Sequence, residues 1–191
     1  MPRKCVNASY SLVICVLQKG RGGMSEPLTQ ISRIIVSIAK QQLFCMGVDG
    51  GVLRVYAVST SRFGVGNQAG SFKTPLGEHR IEQKIGAGCE INEVFVGRQA
   101  MGVLETLREQ NQLLPDDIIS SRILWLSGMQ PGINQGEGID SFQRYIYIHG
   151  TAEEDKIGSF ASHGCIRMRN EDVIELFDLV DEGCIVDIQE K

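Results

Sequence analysis

The glycines of this chain fall between short runs of β-branched and aromatic residues, and this pattern limits the folds open to it. The chain has 22 glycines among its 191 residues, above the roughly 7% that an average protein carries. Few of them lie in a helical pattern, so we interpret them as turns between short strands. The pattern predicts a mainly β domain, a sandwich or barrel with one or two short helices and a functional site at strand ends.

Two segments have the pattern of a helix. The clearer one covers residues 170–180, where Asn170 is a suitable N-cap and an apolar stripe follows. The second covers residues 101–112 and ends before Pro115, which cannot continue a helix.

Among the segments that have the pattern of a strand, three bear most on the site. Residues 52–60 carry apolar side chains on both alternating faces, which is typical of a strand buried on both sides. Residues 121–126 form a strongly apolar run. Residues 145–149 alternate as Tyr-Ile-Tyr-Ile-His, so we expect a strand that ends at His149.

The densest group of reactive side chains follows that strand. His149 and His163, two of the three histidines in the chain, lie close in sequence to Cys165. A thiol is a good nucleophile only as thiolate, and a nearby imidazole is the usual means of forming one near neutral pH. Gly164 can take a positive φ at low cost, and the N–H groups of residues 164 and 165 could then stabilise an oxyanion. These residues predict an acyl-transfer site.

The roles within this group have alternatives. We expect His149 to be the general base, and the alternative is a structural histidine bonded to a backbone carbonyl. His163 is expected to support the loop, although it could be the base itself. Ser162 is a candidate for contact with substrate or for a bond within the loop. Arg167 could hold a substrate carboxylate in a bidentate pair or pair with an acidic residue of the fold.

These motifs resemble the signature of a known family. His149-Gly150 followed by Ser-His-Gly-Cys-Ile-Arg at 162–167 is similar to the signature of the L,D-transpeptidases, the YkuD-type catalytic domain. Gly-Ser-Phe-Lys-Thr-Pro-Leu-Gly at 70–77 resembles the Lys-Thr-Pro-x-Gly turn of that family. The resemblance runs from about residue 31 to the C-terminus and implies a β-sandwich or barrel-like catalytic domain.

The resemblance implies a cysteine acyltransferase that acts on peptidoglycan stem peptides or muropeptides. Cys165 would form a thioester at an L,D peptide bond with His149 as base, and an acceptor amine would then form a crosslink or exchange the terminal D-amino acid. Hydrolysis of the thioester would instead make the chain an L,D-carboxypeptidase or another cysteine amidase. The alternative of another class is an inactive peptidoglycan-binding module. Carbapenems are the covalent inhibitors that the resemblance implies. Gly150, Ser162 and Arg167 are the substrate-binding candidates.

Composition argues against several other classes. The net charge is −4 without a basic run, which argues against a nucleic-acid partner. No stretch reaches the roughly 18 apolar residues that span a bilayer. The spacing of His163 and Cys165 is not the usual gap of a zinc-binding pair, so neither a metal nor another cofactor is expected.

The N-terminal part of the chain is expected to lie outside the catalytic domain. We divide the chain into a leader over 1–28 and a catalytic domain over 29–191. Arg3 and Lys4 precede a short apolar run at 10–17, the outline of a signal peptide, but no small-x-small cleavage site follows. Six scattered cysteines without a CxxC pair predict mostly free thiols. The resemblance favours the cell envelope or periplasm, and the thiols favour the cytoplasm.

Overall fold

The computed structural model describes residues 30–191. The strands are β1 (Ile31–Ser37), β2 (Gln42–Gly47), β3 (Val52–Ala57), β4 (Gly77–Ile85), β5 (Glu93–Val96), β6 (Gln99–Val103), β7 (Ile119–Gly128), β8 (Tyr147–Thr151), β9 (Ile166–Met168) and β10 (Ile185–Gln189). The helices are α1 (Leu104–Glu109) and α2 (Asn170–Leu179), and a short 3-10 helix covers Glu154–Lys156.

The strands of the described part of the chain belong to one curled sheet. Their order is β3-β2-β1-β10-β4-β7-β5-β6, and β8 extends from β7 to β9. The pairs β1/β10 and β8/β9 are parallel, and the remaining pairs are antiparallel. Strand β7 pairs with β4, β5 and β8, so it fixes the position of the motif strands relative to the rest of the sheet.

Strand β7 separates two apolar clusters because its side chains alternate between faces. Leu124 and Leu126 join the larger core, to which α2 contributes its apolar stripe. Ile123 and Trp125 join a smaller cluster, against which Cys165 packs. The prediction of a mainly β fold with two short helices is confirmed.

Two predicted elements differ from the structure for reasons of sheet topology. Residues 101–103, expected in a helix, pair with β5 instead, and the helix begins at Leu104. The expectation that residues 52–60 are buried on both faces is wrong. Strand β3 is at the edge of the sheet, and Val52 and Val55 are exposed.

The expectation that Asn170 caps α2 is also wrong. The N-cap position belongs to Arg169, and the Asn170 side chain is buried. Its Oδ1 accepts hydrogen bonds from the hydroxyls of Ser120 and Ser121, both at 2.7 Å. Its Nδ2 donates to the carbonyl of Thr151 at 2.9 Å. Asn170 therefore ties the start of α2 to β7 and β8, instead of satisfying the helix end.

The predicted leader over 1–28 lies outside the described residues. Of the described cysteines, Cys45, Cys165 and Cys184 are free thiols. Cys89 is disulfide-bonded, so the expectation of a free thiol is wrong for that residue.

Candidate active site

Strands β8 and β9 bring the reactive residues of the motif together. They pair in parallel with His149 opposite Arg167, and Cys165 immediately precedes β9. Because side chains alternate along a strand, the side chains of residues 147 and 149 share a face, and the Cys165 thiol contacts the main-chain N–H of Tyr147. His149 is the third residue of β8, not its last as expected, so strand pairing continues on both sides of it.

The Cys165 thiol is held by main-chain groups. The Tyr147 N–H donates to Sγ at 3.4 Å, and Sγ donates to the Tyr145 carbonyl at 3.4 Å. Burial raises the pKa of the thiol to about 12, and the Tyr147 N–H partly offsets this effect. The cysteine therefore rests as a thiol and needs a base to become a nucleophile.

His149 is buried and its tautomer is fixed by the backbone. Its Nδ1 lies 2.7 Å from the Gly150 carbonyl. A carbonyl can only accept, so Nδ1 carries the proton. Burial lowers the pKa of His149, and the ring is therefore neutral at pH 7, with its lone pair on Nε2. A neutral imidazole with this tautomer can accept a proton at Nε2.

His163 is partly exposed, and both of its ring nitrogens have partners. Nε2 lies 2.5 Å from Nη2 of Arg62, and a guanidinium can only donate. Nε2 therefore accepts, and Nδ1 donates to Oδ2 of Asp117 at 3.0 Å. In this arrangement the only lone pair of the neutral ring is occupied, which favours the supporting role over that of base.

Asp117 joins the two ends of the motif, and sequence analysis missed it. Oδ2 accepts the bond from His163, and Oδ1 lies 2.8 Å from Nη2 of Arg167. Burial alone would raise the pKa of this carboxyl, but the electrostatic effect of His149 and the hydrogen bond from Arg167 hold it below its usual range. Asp117 therefore carries a negative charge within the site. It belongs to an ordinary polar loop, and no local pattern marks it.

Arg167 pairs within the fold. Its side chain is 2% exposed and forms salt bridges to Asp117 at 2.8 Å and Glu153 at 2.9 Å. These contacts favour the structural alternative over the substrate-binding one, because the guanidinium is already enclosed by its two carboxylates.

Gly150 is a packing residue of β8. A Cβ at this position would lie 2.4 Å from Oδ1 of Asn170 and 2.6 Å from the Ser120 carbonyl. Only glycine allows the strand to approach these groups, and Gly150 is buried. Its described contacts are with the fold and with His149, so they do not support its predicted substrate contact.

The loop before β9 is held by its own hydroxyl and by the turn at 70–77. Ser162 Oγ donates to the Cys165 carbonyl at 2.6 Å and accepts from the Gly164 N–H at 3.3 Å. Gly164 has φ of +122°, and a Cβ there would lie 3.3 Å from the Lys73 carbonyl. The expected positive φ of Gly164 is confirmed, and the turn packs directly against the cysteine loop.

Two further features of the site had no signal in the sequence. Tyr145, whose carbonyl accepts from Cys165, has φ of +57°, an uncommon conformation for a residue other than glycine. Such strain is concentrated at functional sites. Arg144 donates to the carbonyls of Lys73 at 2.6 Å and Gly66 at 3.2 Å, and this fixes the turn beside the strand that leads to β8.

A cleft of about 310 Å³ opens beside these residues, and Phe72, Arg144 and His163 contribute to its walls. Within residues 30–191, no group of three or more His, Cys, Asp and Glu side chains is arranged to hold a metal ion.

The sequence model of the YkuD family, the L,D-transpeptidase catalytic domain, matches residues 31–188. The chain belongs to this family. Peptidoglycan crosslinking is the function of the family. The resemblance to the L,D-transpeptidases that the sequence motifs indicated is confirmed.

Curated relatives match over short segments. The putative L,D-transpeptidase YqjB of Bacillus subtilis (strain 168) is 48% identical over 40 residues, 21% of this chain and 23% of the relative. The putative L,D-transpeptidase YkuD of the same strain is 54% identical over 46 residues, 24% of this chain and 28% of the relative. The matches therefore span about a quarter of these relatives' length.

The fold is similar to solved structures. One is L,D-transpeptidase 3 from Mycobacterium tuberculosis in complex with a faropenem-derived adduct. The TM-score is 0.51 at 18% identity, and the similarity covers 84% of this chain and 60% of that one. At this identity the likeness supports the fold alone.

Proposed function

We propose that this chain is a cysteine acyltransferase that acts on peptidoglycan stem peptides, with Cys165 as nucleophile and His149 as general base. Membership in the L,D-transpeptidase family supports the reaction class. The observation that carries the assignment is the pair of tautomers. His149 has its proton on Nδ1 and a lone pair on Nε2, whereas both nitrogens of His163 are bonded to charged side chains.

The first half-reaction transfers the acyl group to Cys165. The thiol proton moves to Nε2 of His149 as Sγ attacks the carbonyl carbon of the L,D peptide bond. Because burial favours the neutral forms of both groups, the proton moves during attack and not in a preceding ion pair. Collapse of the tetrahedral intermediate breaks the C–N bond, and His149 returns the proton to the leaving amine of D-alanine.

The oxyanion of this intermediate needs donors. We assign the backbone N–H of Cys165, with a weaker contribution from Gly164. The Gly164 N–H already lies 3.3 Å from Ser162 Oγ, so only part of its capacity is left. The positive φ of Gly164 orients this segment.

The second half-reaction releases the acyl group from the thioester. An acceptor amine attacks the thioester carbonyl and loses a proton to His149, and the proton then returns to the departing Cys165 sulfur. The product is a crosslink or an exchanged terminal residue. Attack by water instead of an amine gives the carboxypeptidase reaction.

Covalent labelling tests the nucleophile. Intact-protein mass spectrometry after incubation with imipenem or meropenem should show one adduct per wild-type chain and none on Cys165→Ala. Tetrapeptide muropeptides should then yield dimers by transfer or tripeptides by hydrolysis. An adduct that persists in Cys165→Ala would refute the assignment. So would the absence of any adduct on wild-type protein whose thiol reacts with Ellman's reagent.

We also propose that the protein works at the cell envelope, because its family is associated with the cell wall. None of the helices in residues 30–191 is long and apolar enough to cross a membrane. Fractionation of cells that express the full chain tests the location, and recovery only with cytoplasmic markers would contradict it.

A further inference from the structure

The thiol of Cys165 is held by a turn of the chain that precedes β8. Sγ donates to the Tyr145 carbonyl and accepts from the Tyr147 N–H, both at 3.4 Å. These main-chain groups lie at the end of a turn that is closed by a bond from the Ile146 N–H to the Ser141 carbonyl at 3.1 Å. The position of the reacting sulfur therefore depends on where this turn lies.

The turn contains a strained residue at the point where it meets the thiol. Tyr145 has φ of +57°, and a residue other than glycine keeps such a conformation only where its surroundings impose it. The Tyr145 N–H donates to the Phe142 carbonyl at 3.1 Å, and the Arg98 guanidinium lies 5.0 Å from the centre of the Tyr145 ring. If the turn opened at Ser141, this strain would relax and the Tyr145 carbonyl would move away from Sγ.

Ser141 anchors the turn to β4. Its N–H donates to the Asn134 carbonyl at 3.0 Å, and its Oγ lies 2.9 Å from Nε2 of His79. Nδ1 of His79 lies 2.9 Å from the Gly77 carbonyl, which can only accept, so Nδ1 carries the proton. Burial lowers the pKa of His79 to about 4. The ring is therefore neutral at pH 7, and Nε2 accepts the hydrogen bond of the Ser141 hydroxyl.

The side chains of Ser141 and His79 lie away from the cleft. Both are 0% exposed, and neither belongs to the cleft lining. The charged residues of the turn that do line the cleft have anchors of their own. Asp140 accepts from two N–H groups of the turn, and Arg144 donates to two carbonyls of the loop across the cleft. Loss of the bond between Ser141 and His79 should therefore disturb the sulfur more than the cleft walls.

We infer that Ser141 and His79 are positioning residues for Cys165. The hydrogen bond between their side chains keeps the turn in the strained form in which the Tyr145 carbonyl receives the thiol, and so fixes the sulfur for attack. The inference rests on the proposed function and adds to it two residues that act on the nucleophile only through the main chain of the turn.

The S–H stretching band of Cys165 reports this contact directly. A thiol that donates a hydrogen bond absorbs at a lower frequency than a free thiol. The infrared difference between each protein and its Cys165→Ala form isolates this thiol from the other cysteines. Ser141→Ala removes the hydroxyl, and His79→Leu removes its acceptor. Each change should move the band to higher frequency, because the Tyr145 carbonyl is no longer held against Sγ.

Two further variants serve as controls. His79→Gln is matched to His79→Leu, because the two side chains are similar in size and only glutamine can accept at the position of Nε2. It should keep the band near its wild-type frequency. Ser37→Ala removes another buried hydroxyl, which donates to the Lys191 carbonyl at 2.7 Å from β1, and it should leave the band unchanged. Melting temperatures measure the stability of every variant.

Acylation by imipenem shows whether the contact matters for the reaction. The acylation rate constant of Ser141→Ala and of His79→Leu should fall about tenfold, less than the roughly hundredfold cost of a full ångström of misplacement, because Arg98 and Phe142 still hold Tyr145. The apparent dissociation constant of imipenem should change by less than about twofold, because the cleft keeps its anchors. Stopped-flow absorbance at a series of imipenem concentrations separates the two constants. His79→Gln and Ser37→Ala should stay close to wild type in both.

The outcomes distinguish this inference from the proposed function. A band at the wild-type frequency in Ser141→Ala would overturn the inference while the acyltransfer reaction stands. Equal losses of rate in His79→Leu and His79→Gln would do the same, because they would follow from lost stability and not from the lost acceptor. The absence of an imipenem adduct on the wild-type chain would overturn the proposed function itself, and the inferred role in the reaction with it.

Discussion

The two histidines of the motif are fixed in opposite ways. His149 lies within β8, is 1% exposed and has its tautomer set by a backbone carbonyl. His163 lies on a loop, is partly exposed and is held by the side chains of Asp117 and Arg62. One histidine is therefore positioned by the sheet, and the other by charged residues from distant parts of the chain.

This difference distinguishes the histidine proposed to act as base, His149, from the histidine that holds the loop in place, His163. Strand pairing on both sides of His149 leaves little freedom to the base. The Gly150 carbonyl that orients its ring engages Nδ1 and not the lone pair on Nε2. The loop histidine has its lone pair occupied and holds the loop in place through Asp117. Four predictions test this comparison of the histidines and their partners, from the largest expected effect to the smallest.

Replacing the strand histidine should have the largest effect. His149→Gln should lower the rate constant of acylation by imipenem by about 10²- to 10⁴-fold, the usual contribution of a general base. His163→Gln should lower it by less than about tenfold, because Cys165 keeps its main-chain contacts. Stopped-flow absorbance of the β-lactam, together with mass spectrometry, measures both rates.

The pH dependence sharpens the same comparison. His149 must be neutral to act, and burial holds its pKa below the ordinary value of 6.5. The wild-type acylation rate should therefore hold as the pH falls to 6.5 and decline only below it. If His163→Gln lost more of the acylation rate than His149→Gln, then His163 would be the base and His149 the supporting residue.

The third histidine, His79, shows how burial in a strand affects the pH dependence of stability. His79 in β4 is buried, with Nδ1 bonded to the Gly77 carbonyl and Nε2 to Ser141 Oγ, both at 2.9 Å. Burial lowers its pKa from 6.5 to about 4. Between these values the unfolded chain binds a proton that the folded chain does not, so stability falls as the pH falls. The loss amounts to about 3 kcal/mol by pH 4.

His79→Gln should remove this contribution and flatten the acid side of the stability curve. Urea unfolding at a series of pH values from 7 to 4 measures it. The comparison is between the slopes of wild type and variant, so a general loss of stability in the variant does not obscure it. Parallel curves would show that His79 is not a source of the acid sensitivity.

Sequence patterns predicted those parts of the site whose contacts are local. The alternation before His149 indicated a strand, and the Ser-His-Gly-Cys run placed Gly164 at a positive φ. Helix α2 followed from its apolar stripe. Each of these depends on neighbours within a few residues, where strand or helix geometry fixes the positions of side chains.

The other parts of the site depend on contacts between residues that are distant in sequence and that the curled sheet brings together. Asp117 meets His163 across 46 positions of sequence, and Arg144 meets Lys73 across 71. The edge position of β3 and the burial of Asn170 likewise follow from strand order. A local pattern cannot report which distant loop will supply a carboxylate, and for this reason the charged partners of the motif were missed.

Removing one of these charged partners should have the smallest effect on the chemistry. Asp117→Asn replaces a carboxylate that contacts His163 and the buried Arg167, and leaves Glu153 as the remaining partner of that guanidinium. We expect a loss of about 1–2 kcal/mol in unfolding free energy, below the cost of a fully buried pair because Asp117 is partly exposed. Acylation should slow by less than about tenfold. Urea unfolding and the imipenem rate measure the two effects, and Asp116→Asn, the same change on the exposed neighbour, should alter neither. A loss of rate as large as that of His149→Gln would mean that Asp117 takes part in the chemistry, and the proposed division between base and supporting residues would then be wrong.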